Sequence, residues 1–120
     1  MNSEELKKYF LDYQLATQTF NKNTIETSLN KYFTKDSLFN FCYPFGTFKS
    51  LNNFLSKCLL PLLESVPDLE RRDMILMAGK TPEGKNWIGT MGNYMGTFFK
   101  PYLDIQPNGN LIHMRYHEFF

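Results

Sequence analysis

Apolar residues recur at helical spacing in three stretches of the first half of the chain. The first stripe predicts a helix capped by Ser3 and consists of Leu6, Tyr9, Phe10, Tyr13, Ala16, Thr17 and Phe20. A second stripe predicts a short helix with a capping-box-like start at Asn23 and Glu26. The third stripe runs from Leu51 to Leu63. Proline lacks a backbone donor, so Pro61 predicts a kink or break one turn before it.

Strand-forming residues dominate the second half. Residues 68–78 predict a strand with a solvated charged start and an apolar end, and residues 87–99 and 111–120 predict two more antiparallel strands. A further short strand is expected at residues 38–43, ending at Pro44. The glycines at 89, 92 and 96 mark a bulge, a bend or a close approach to the backbone. The order of elements is typical of an α+β domain with helices on one face of a sheet.

Alternation along the last strand separates two faces. One face carries Ile112, Met114, Tyr116, Glu118 and Phe120. Because the only carboxyl group on that face has apolar neighbours, desolvation favours its protonated form and makes it a candidate proton donor. The alternatives are that Glu118 is exposed near the strand end or forms a structural ion pair with Arg71 or Arg72. We slightly favour these structural interpretations over the role of proton donor.

The opposite face of the last strand carries His113, Arg115 and His117. The two histidines lie four residues apart, so about 13 Å separates their Cα atoms along an extended strand. That distance disfavours a shared metal ion, and a polar outer face or a subunit interface is expected instead. No metal-ligand spacing or phosphate-binding glycine loop occurs elsewhere, so neither a metal nor a cofactor is predicted.

Composition sets the remaining limits. The chain has 120 residues, 42% of them apolar and 17% aromatic, which predicts one domain with a packed core. A formal net charge of +1 is too small to attract nucleic acid or an anionic membrane electrostatically, so neither is expected as a partner. No apolar run approaches the roughly 20 residues that span a bilayer. With two cysteines and no signal-like start, a reducing cytoplasm is the expected compartment.

Five segments together carry a resemblance to a known family. They are Tyr43-Pro44-Phe45-Gly46, Pro61-Leu62-Leu63, residues 67–73, residues 92–98 and Pro107-Asn108-Gly109. In this order, over nearly the whole chain, they resemble the SnoaL-like polyketide cyclase family of the nuclear transport factor 2-like superfamily. The resemblance implies a single domain over residues 1–120, without the family's usual final strand. It also implies a cone-shaped roll, with three N-terminal helices on the concave face of a strongly bent antiparallel sheet.

The resemblance also implies a site. Tyr43 matches the catalytic position before the Pro-Phe-Gly turn, Tyr94 matches a histidine of many cyclases, and Glu118 matches the protonated acid of ketosteroid isomerases. The expected function is a pocket for a hydrophobic carbonyl compound, with metal-free cyclase, isomerase or lyase chemistry. The alternative is a non-catalytic binding or dimerisation module. A homodimer through the sheet is expected.

Pocket-lining residues are expected among the aromatic and sulfur-containing side chains, since ligand cavities are mainly apolar. The candidates are Tyr13, Phe41, Trp87, Met91, Met114 and Tyr116. Each of them could equally belong to the core.

Overall fold

The computed structural model describes all residues, 1–120, as helices packed with antiparallel strands, which confirms the α+β class. The helices are α1 (Ser3–Ala16), α2 (Ile25–Tyr32), α3 (Leu51–Phe54) and α4 (Leu60–Ser65). The strands are β1 (Phe39–Asn40), β2 (Thr47–Phe48), β3 (Glu70–Lys80), β4 (Asn86–Thr97) and β5 (Leu111–Phe119). None of the helices is both long enough and apolar enough to span a membrane.

The N-cap of the first helix lies one residue before the predicted position, so the helix begins at Ser3. Asn2, not Ser3, is the N-cap, and its side-chain oxygen accepts from the Glu5 amide at 2.9 Å. The Glu5 carboxylate in turn accepts from the Asn2 amide at 2.9 Å. This reciprocal pair needs an acidic residue three positions after the cap, which Asn2 has and Ser3 lacks.

The third predicted helix changes from α-helical to π-helical hydrogen bonding in the turn before Pro61. A π-helical turn, Leu55–Leu59, separates α3 from α4, and the Leu60 amide donates to the Leu55 carbonyl. Pro61 follows in the first turn of α4, where a missing amide hydrogen is tolerated. The helical turns continue from Leu51 to Ser65, so the sequence-predicted kink or break corresponds to a π-helical turn and not to a break in the chain's helix.

The sheet has the order β3-β4-β5, with all pairs antiparallel. A β-bulge interrupts β3, because Asp73 pairs with Gly92 and Ile75 with Met91, which leaves Met74 as an extra residue. The short strands β1 and β2 form a separate hairpin. The strand expected at residues 38–43 is thus limited to β1, and a turn follows at the cis Tyr43–Pro44 bond.

The two faces of the sheet differ in what covers them. The helix α1 packs on β3 and β4, and we call the face that carries Arg71, Thr90 and Tyr116 the inner face. Burial alternates along β5, with Ile112, Met114, Tyr116 and Glu118 less exposed than their neighbours. The predicted separation of the β5 faces is therefore confirmed, and His113, Arg115 and His117 lie on the exposed outer face.

Two glycines of β4 allow close approach on the inner face. A Cβ atom on Gly92 would collide with the Arg72 carbonyl oxygen and lie 2.6 Å from the Tyr116 hydroxyl oxygen. One on Gly96 would collide with the side chain of Val66, just after α4. Of the three interpretations of these glycines, close approach is the one observed at both positions.

The hydrophobic core lies between the helices and the inner face. Its buried members are Phe10, Tyr13, Ile25, Leu29, Leu51, Leu55, Leu59, Leu63, Val66, Leu69 and Ile88. Most of them come from helical stripes, while β4 contributes only Ile88. Helix packing on the sheet therefore accounts for most of the buried apolar surface.

Candidate functional site

Arg71 is buried on the inner face of the sheet. It comes from the start of β3, and its side chain is 0% exposed. Its Nη2 atom donates to the Asp73 carboxylate at 2.9 Å and to the Glu118 carboxylate at 3.0 Å, while its Nε atom donates to Asp73 at 3.1 Å. A buried guanidinium between two carboxylates is the arrangement in which charge is best compensated away from water.

Three tyrosine rings surround this guanidinium. The Cζ atom of Arg71 lies 4.9 Å from the ring centroid of Tyr116, 5.5 Å from that of Tyr13 and 5.7 Å from that of Tyr94. These distances are within the range of cation–π attraction. The "arginine cluster" is defined as Arg71, Asp73, Glu118, Tyr13, Tyr94 and Tyr116.

Phenol groups complete the hydrogen bonding of the two carboxylates. The Tyr94 hydroxyl donates to Glu118, and the Tyr116 hydroxyl donates to Asp73. One oxygen of Glu118 therefore accepts from a tyrosine and the other from Arg71. Both carboxylate oxygens of Glu118 are thus engaged in hydrogen bonds within the cluster.

Burial controls the protonation of the phenols and the guanidinium. It raises the pKa of Tyr94 well above its ordinary value, and the Glu118 charge adds to this rise. Burial also raises the pKa of Tyr13. For Arg71, burial alone lowers the pKa, but the charge of Glu118 and the hydrogen bond to Asp73 act in the opposite direction, and the pKa is raised. The cluster thus holds protonated phenols around a permanent cation.

One donor of the cluster is unsatisfied. Nη1 of Arg71 is buried and has no hydrogen-bond acceptor. Unpaired buried donors are rare because each loses the hydrogen bond that water would provide. The nearby buried pair of Gln14 and Thr90 bonds to itself, with Gln14 Nε2 3.3 Å from Thr90 Oγ1. Nη1 therefore marks a place where an acceptor atom would be stabilised.

An open cleft of about 470 Å³ borders the cluster between α1 and β3. Its lining residues are Leu11, Gln14, Leu15, Gln18, Glu70, Arg71, Arg72 and Asp73. A smaller depression of about 190 Å³ lies at the other end of α1, among Leu6, Tyr9, Phe10, Tyr13, Tyr32, Phe33, Asn86, Ile88 and Phe120. The cleft falls within the usual size range of ligand sites, and the apolar depression falls below it.

The structure brings together four of the sequence-predicted site residues. Tyr94 and Glu118 are hydrogen-bonded, and Tyr13 and Tyr116 contact the same guanidinium. A fifth, Met114, lies half-buried on the same face, packed against the core. The expected ion pair of Glu118 with an arginine is present, and the arginine is Arg71.

The other predicted site residues lie elsewhere. Tyr43 is 96% exposed in the turn after β1, and Phe41 packs in the hairpin against Phe45, Phe48 and Phe54. Trp87 and Met91 lie on the outer face, because Met91 pairs with the outward-facing His117 and both are an odd number of residues from Tyr94. Strand alternation therefore places these two side chains on the opposite face from Glu118.

Sequence reasoning missed Asp73, Gln14 and Thr90 and assigned the start of β3 to solvent. The alternation of β4 was an available signal, since Thr90 and Tyr94 share a face by parity. Parity also places Asp73 on the same face as Arg71, two residues away in β3, but its contact with Tyr116 of β5 depends on the sheet register.

No group of three or more histidine, cysteine, aspartate or glutamate side chains has an arrangement that could hold a metal ion. Cys58 is buried and Cys42 exposed, and both are free thiols. Comparison of the chain with known protein families, curated proteins and solved structures finds no match.

Proposed function

We propose that this protein is a non-catalytic binding module for a hydrophobic small molecule with a carbonyl or carboxylate oxygen. The observation that supports this most directly is the buried, unpaired Nη1 donor of Arg71, a residue that lines an open cleft. An oxygen acceptor of a ligand would satisfy that donor. Leu11 and Leu15, exposed on the α1 side of the cleft, would contact the hydrocarbon part.

Binding is favoured over acid–base catalysis because both carboxylate oxygens of Glu118 are already hydrogen-bonded within the cluster. A general acid must carry a proton and direct it toward the substrate. Glu118 instead accepts hydrogen bonds from Tyr94 and Arg71. The alternative is a metal-free cyclase, isomerase or lyase in which a ligand displaces one of these bonds, Glu118 donates the proton and Tyr94 orients the carbonyl.

The proposal includes the architecture implied by the SnoaL-like resemblance. In that architecture residues 1–120 belong to one cone-shaped domain, and the helices pack on the concave face of a strongly bent sheet. Two features favour such curvature: the bulge at Met74, and the close contact of Val66 with Gly96.

The test is a thermal-shift screen against cyclic ketones and the corresponding carboxylic acids. Leu15→Glu places a carboxylate at the rim of the cleft on a side chain that is 70% exposed, so the fold is retained. Leu38→Glu, at a 65% exposed position in another part of the chain, is the matched control. Ligands are expected to raise the Tm of the wild type and Leu38→Glu but not of Leu15→Glu. Equal shifts in all three proteins would contradict the site.

Turnover assays on the same compounds separate the two functions. Stabilisation without turnover supports the binding module. Turnover that disappears in Glu118→Gln would instead establish the enzyme, because the amide keeps the shape of the acid but supplies no proton.

Dimerisation through the outer face is a second candidate, favoured by exposed apolar side chains there. On this face Ile75 pairs with Met91 of the next strand. Two residues further along β3, Met77 pairs with Gly89, which in turn pairs with Phe119. Ile75, Met77, Trp87 and Phe119 are 45%, 55%, 47% and 70% exposed. Such a continuous apolar patch is typical of protein interfaces. Sedimentation is expected to show a dimer that Met77→Lys converts to monomer and that Leu38→Lys leaves intact.

A further inference from the structure

The outer edge of β5 is a second interaction surface. Because β5 ends the sheet order β3-β4-β5, it has only one neighbour. The Ile88 and Phe120 backbones exchange two hydrogen bonds, of 2.9 and 2.8 Å. In an antiparallel ladder such pairs recur at every second residue. The backbone N–H and C=O groups that point away from β4 therefore belong to Leu111, His113, Arg115, His117 and Phe119.

These backbone groups have no partner in the fold. Outside the β4 ladder, no hydrogen bond of the chain involves the backbone of any of the five residues. The opposite edge of the sheet differs, because the segment after α1 pairs with the start of β3. There the Arg71 amide donates to Gln18, and Phe20 donates to Leu69. The unprotected edge of a nine-residue strand is a template for a further strand.

The side chains along this edge indicate the chemistry of an added strand. On the inner face, Ile112, Met114 and Phe120 are only partly buried against the core, so apolar side chains beside them would extend it. On the outer face, Arg115 lies between His113 and His117, and the neighbouring strand β4 has no charged residue. Nothing on that part of the face neutralises Arg115.

A second copy of this strand is a poor occupant. If two β5 edges paired antiparallel about their centres, each Arg115 would lie opposite the other and the histidines would face each other. Directly opposed like charges destabilise a strand pair. A strand with carboxylates opposite Arg115 and its neighbours would instead form favourable cross-strand pairs.

We propose that the β5 edge binds an extended segment of another protein in which apolar and acidic residues alternate. The segment adds a fourth strand to the sheet. Its backbone pairs with the free N–H and C=O groups of β5, its apolar side chains extend the core, and its carboxylates face Arg115. This surface is separate from the cleft beside Arg71, and it shares only Phe119 with the apolar patch of the outer face.

The test uses a fluorescent, end-blocked ten-residue peptide of alternating valine and glutamate, titrated against the protein in an anisotropy assay. The matched peptide has lysine in place of glutamate. His113→Pro removes one edge-directed donor without breaking a bond to β4, and edge strands tolerate proline where the amide faces solvent. His113→Ala keeps the donor and serves as the control. Arg115→Glu reverses the charge.

The glutamate peptide is expected to bind the wild type and His113→Ala. His113→Pro should weaken binding about tenfold through the lost hydrogen bond. Arg115→Glu should reverse the preference in favour of the lysine peptide. Circular dichroism and thermal midpoints establish that each variant is folded.

Three outcomes would overturn the proposal: no binding of the glutamate peptide, equal binding of both peptides to the wild type, or undiminished binding by a folded His113→Pro variant. Sedimentation distinguishes a second copy as the occupant. A wild-type dimer that becomes monomeric in His113→Pro would assign the edge to self-association instead.

Discussion

The guanidinium of Arg71 joins three strands and a helix through side chains alone. Its two carboxylate partners come from β3 and β5, and the rings around it come from α1, β4 and β5. Buried ion pairs of this kind contribute little net stability relative to apolar packing, but they fix which side chains must meet. Removing one member leaves the opposite charge without compensation.

Arg71→Met is accordingly expected to lower the free energy of unfolding by about 3 kcal/mol, because Asp73 and Glu118 lose their counter-charge. Arg72→Met is the matched control. Arg72 pairs with Glu70 on the outer face, and its side chain is 64% exposed, so a loss of about 0.5 kcal/mol is expected. Urea unfolding midpoints measure both. Similar losses for the two variants would contradict the central position of Arg71.

At the residue level the sequence revealed Glu118 but not its partners. A carboxyl group among apolar residues of one strand is visible in the strand's own alternation. The sequence limited the ion-pair partner of Glu118 to Arg71 or Arg72. Only the pairing of β3 with β4 shows that Arg71 lies on the same face as Glu118. A buried arginine has no signature of its own, since the groups that compensate it come from residues 13, 73, 94, 116 and 118.

At the scale of the elements, the packing of β4 against its neighbours requires glycine at position 92. The Tyr116 ring lies directly over Gly92, opposite it in the ladder. Gly92→Ala is expected to lower the free energy of unfolding by about 3 kcal/mol, because the Arg72 carbonyl cannot move without breaking the sheet. Gly79→Ala is the control, since a Cβ there meets nothing within 4 Å. Chemical denaturation would show a change within about 0.5 kcal/mol for the control.

The start of α1 provides a separate test at this scale. Asn2→Ala removes the acceptor of the Glu5 amide and should lower the free energy of unfolding by about 1 kcal/mol. Ser3→Ala should have little effect, because Ser3 is already inside the helix. Thermal unfolding of the two variants distinguishes these positions. A larger loss for Ser3→Ala would reassign the cap.

Elements were easier to predict than contacts between them. The irregular helical turn before Pro61 and the faces of β5 follow from local rules, because proline lacks an amide hydrogen and strands alternate. The placement of Trp87 and Met91 failed because they were judged by composition and not by parity with Tyr94. The bulge at Met74 had no local signal and became visible only through the pairing of β3 with β4.

For the whole molecule, buried phenols predict a loss of stability at alkaline pH. Burial raises the pKa of Tyr13, Tyr94, Tyr102 and Tyr116 above that of the unfolded chain, which is about 10. Above that pH the unfolded state releases protons that the folded state retains. The stability conferred by the neutral phenols is therefore present below about pH 10 and is lost as the pH rises.

For each such tyrosine the free energy of unfolding should fall by about 1.4 kcal/mol per pH unit above pH 10. Tyr102→Phe removes one of these contributions and should reduce the slope of unfolding free energy against pH. Phe45→Leu changes a ring 6.3 Å from that of Tyr102 but removes no phenol, so its slope should match the wild type. Denaturation series between pH 9 and 11 measure both slopes. Equal slopes for Tyr102→Phe and the wild type would contradict this account.

Met74, the extra residue in β3, is a position at which the chain could lose one residue without disturbing the sheet. Asp73 and Ile75 already pair with consecutive residues of β4, and the Met74 side chain is largely exposed. Excising Met74 would leave a regular ladder in which Arg71, Asp73, Leu76 and Ala78 keep their orientation. Removal of a residue of β3 away from Asp73, Met74 and Ile75, with the bulge retained, would instead turn one half of the strand over. A homologue shorter by one residue would therefore be expected to have its gap here.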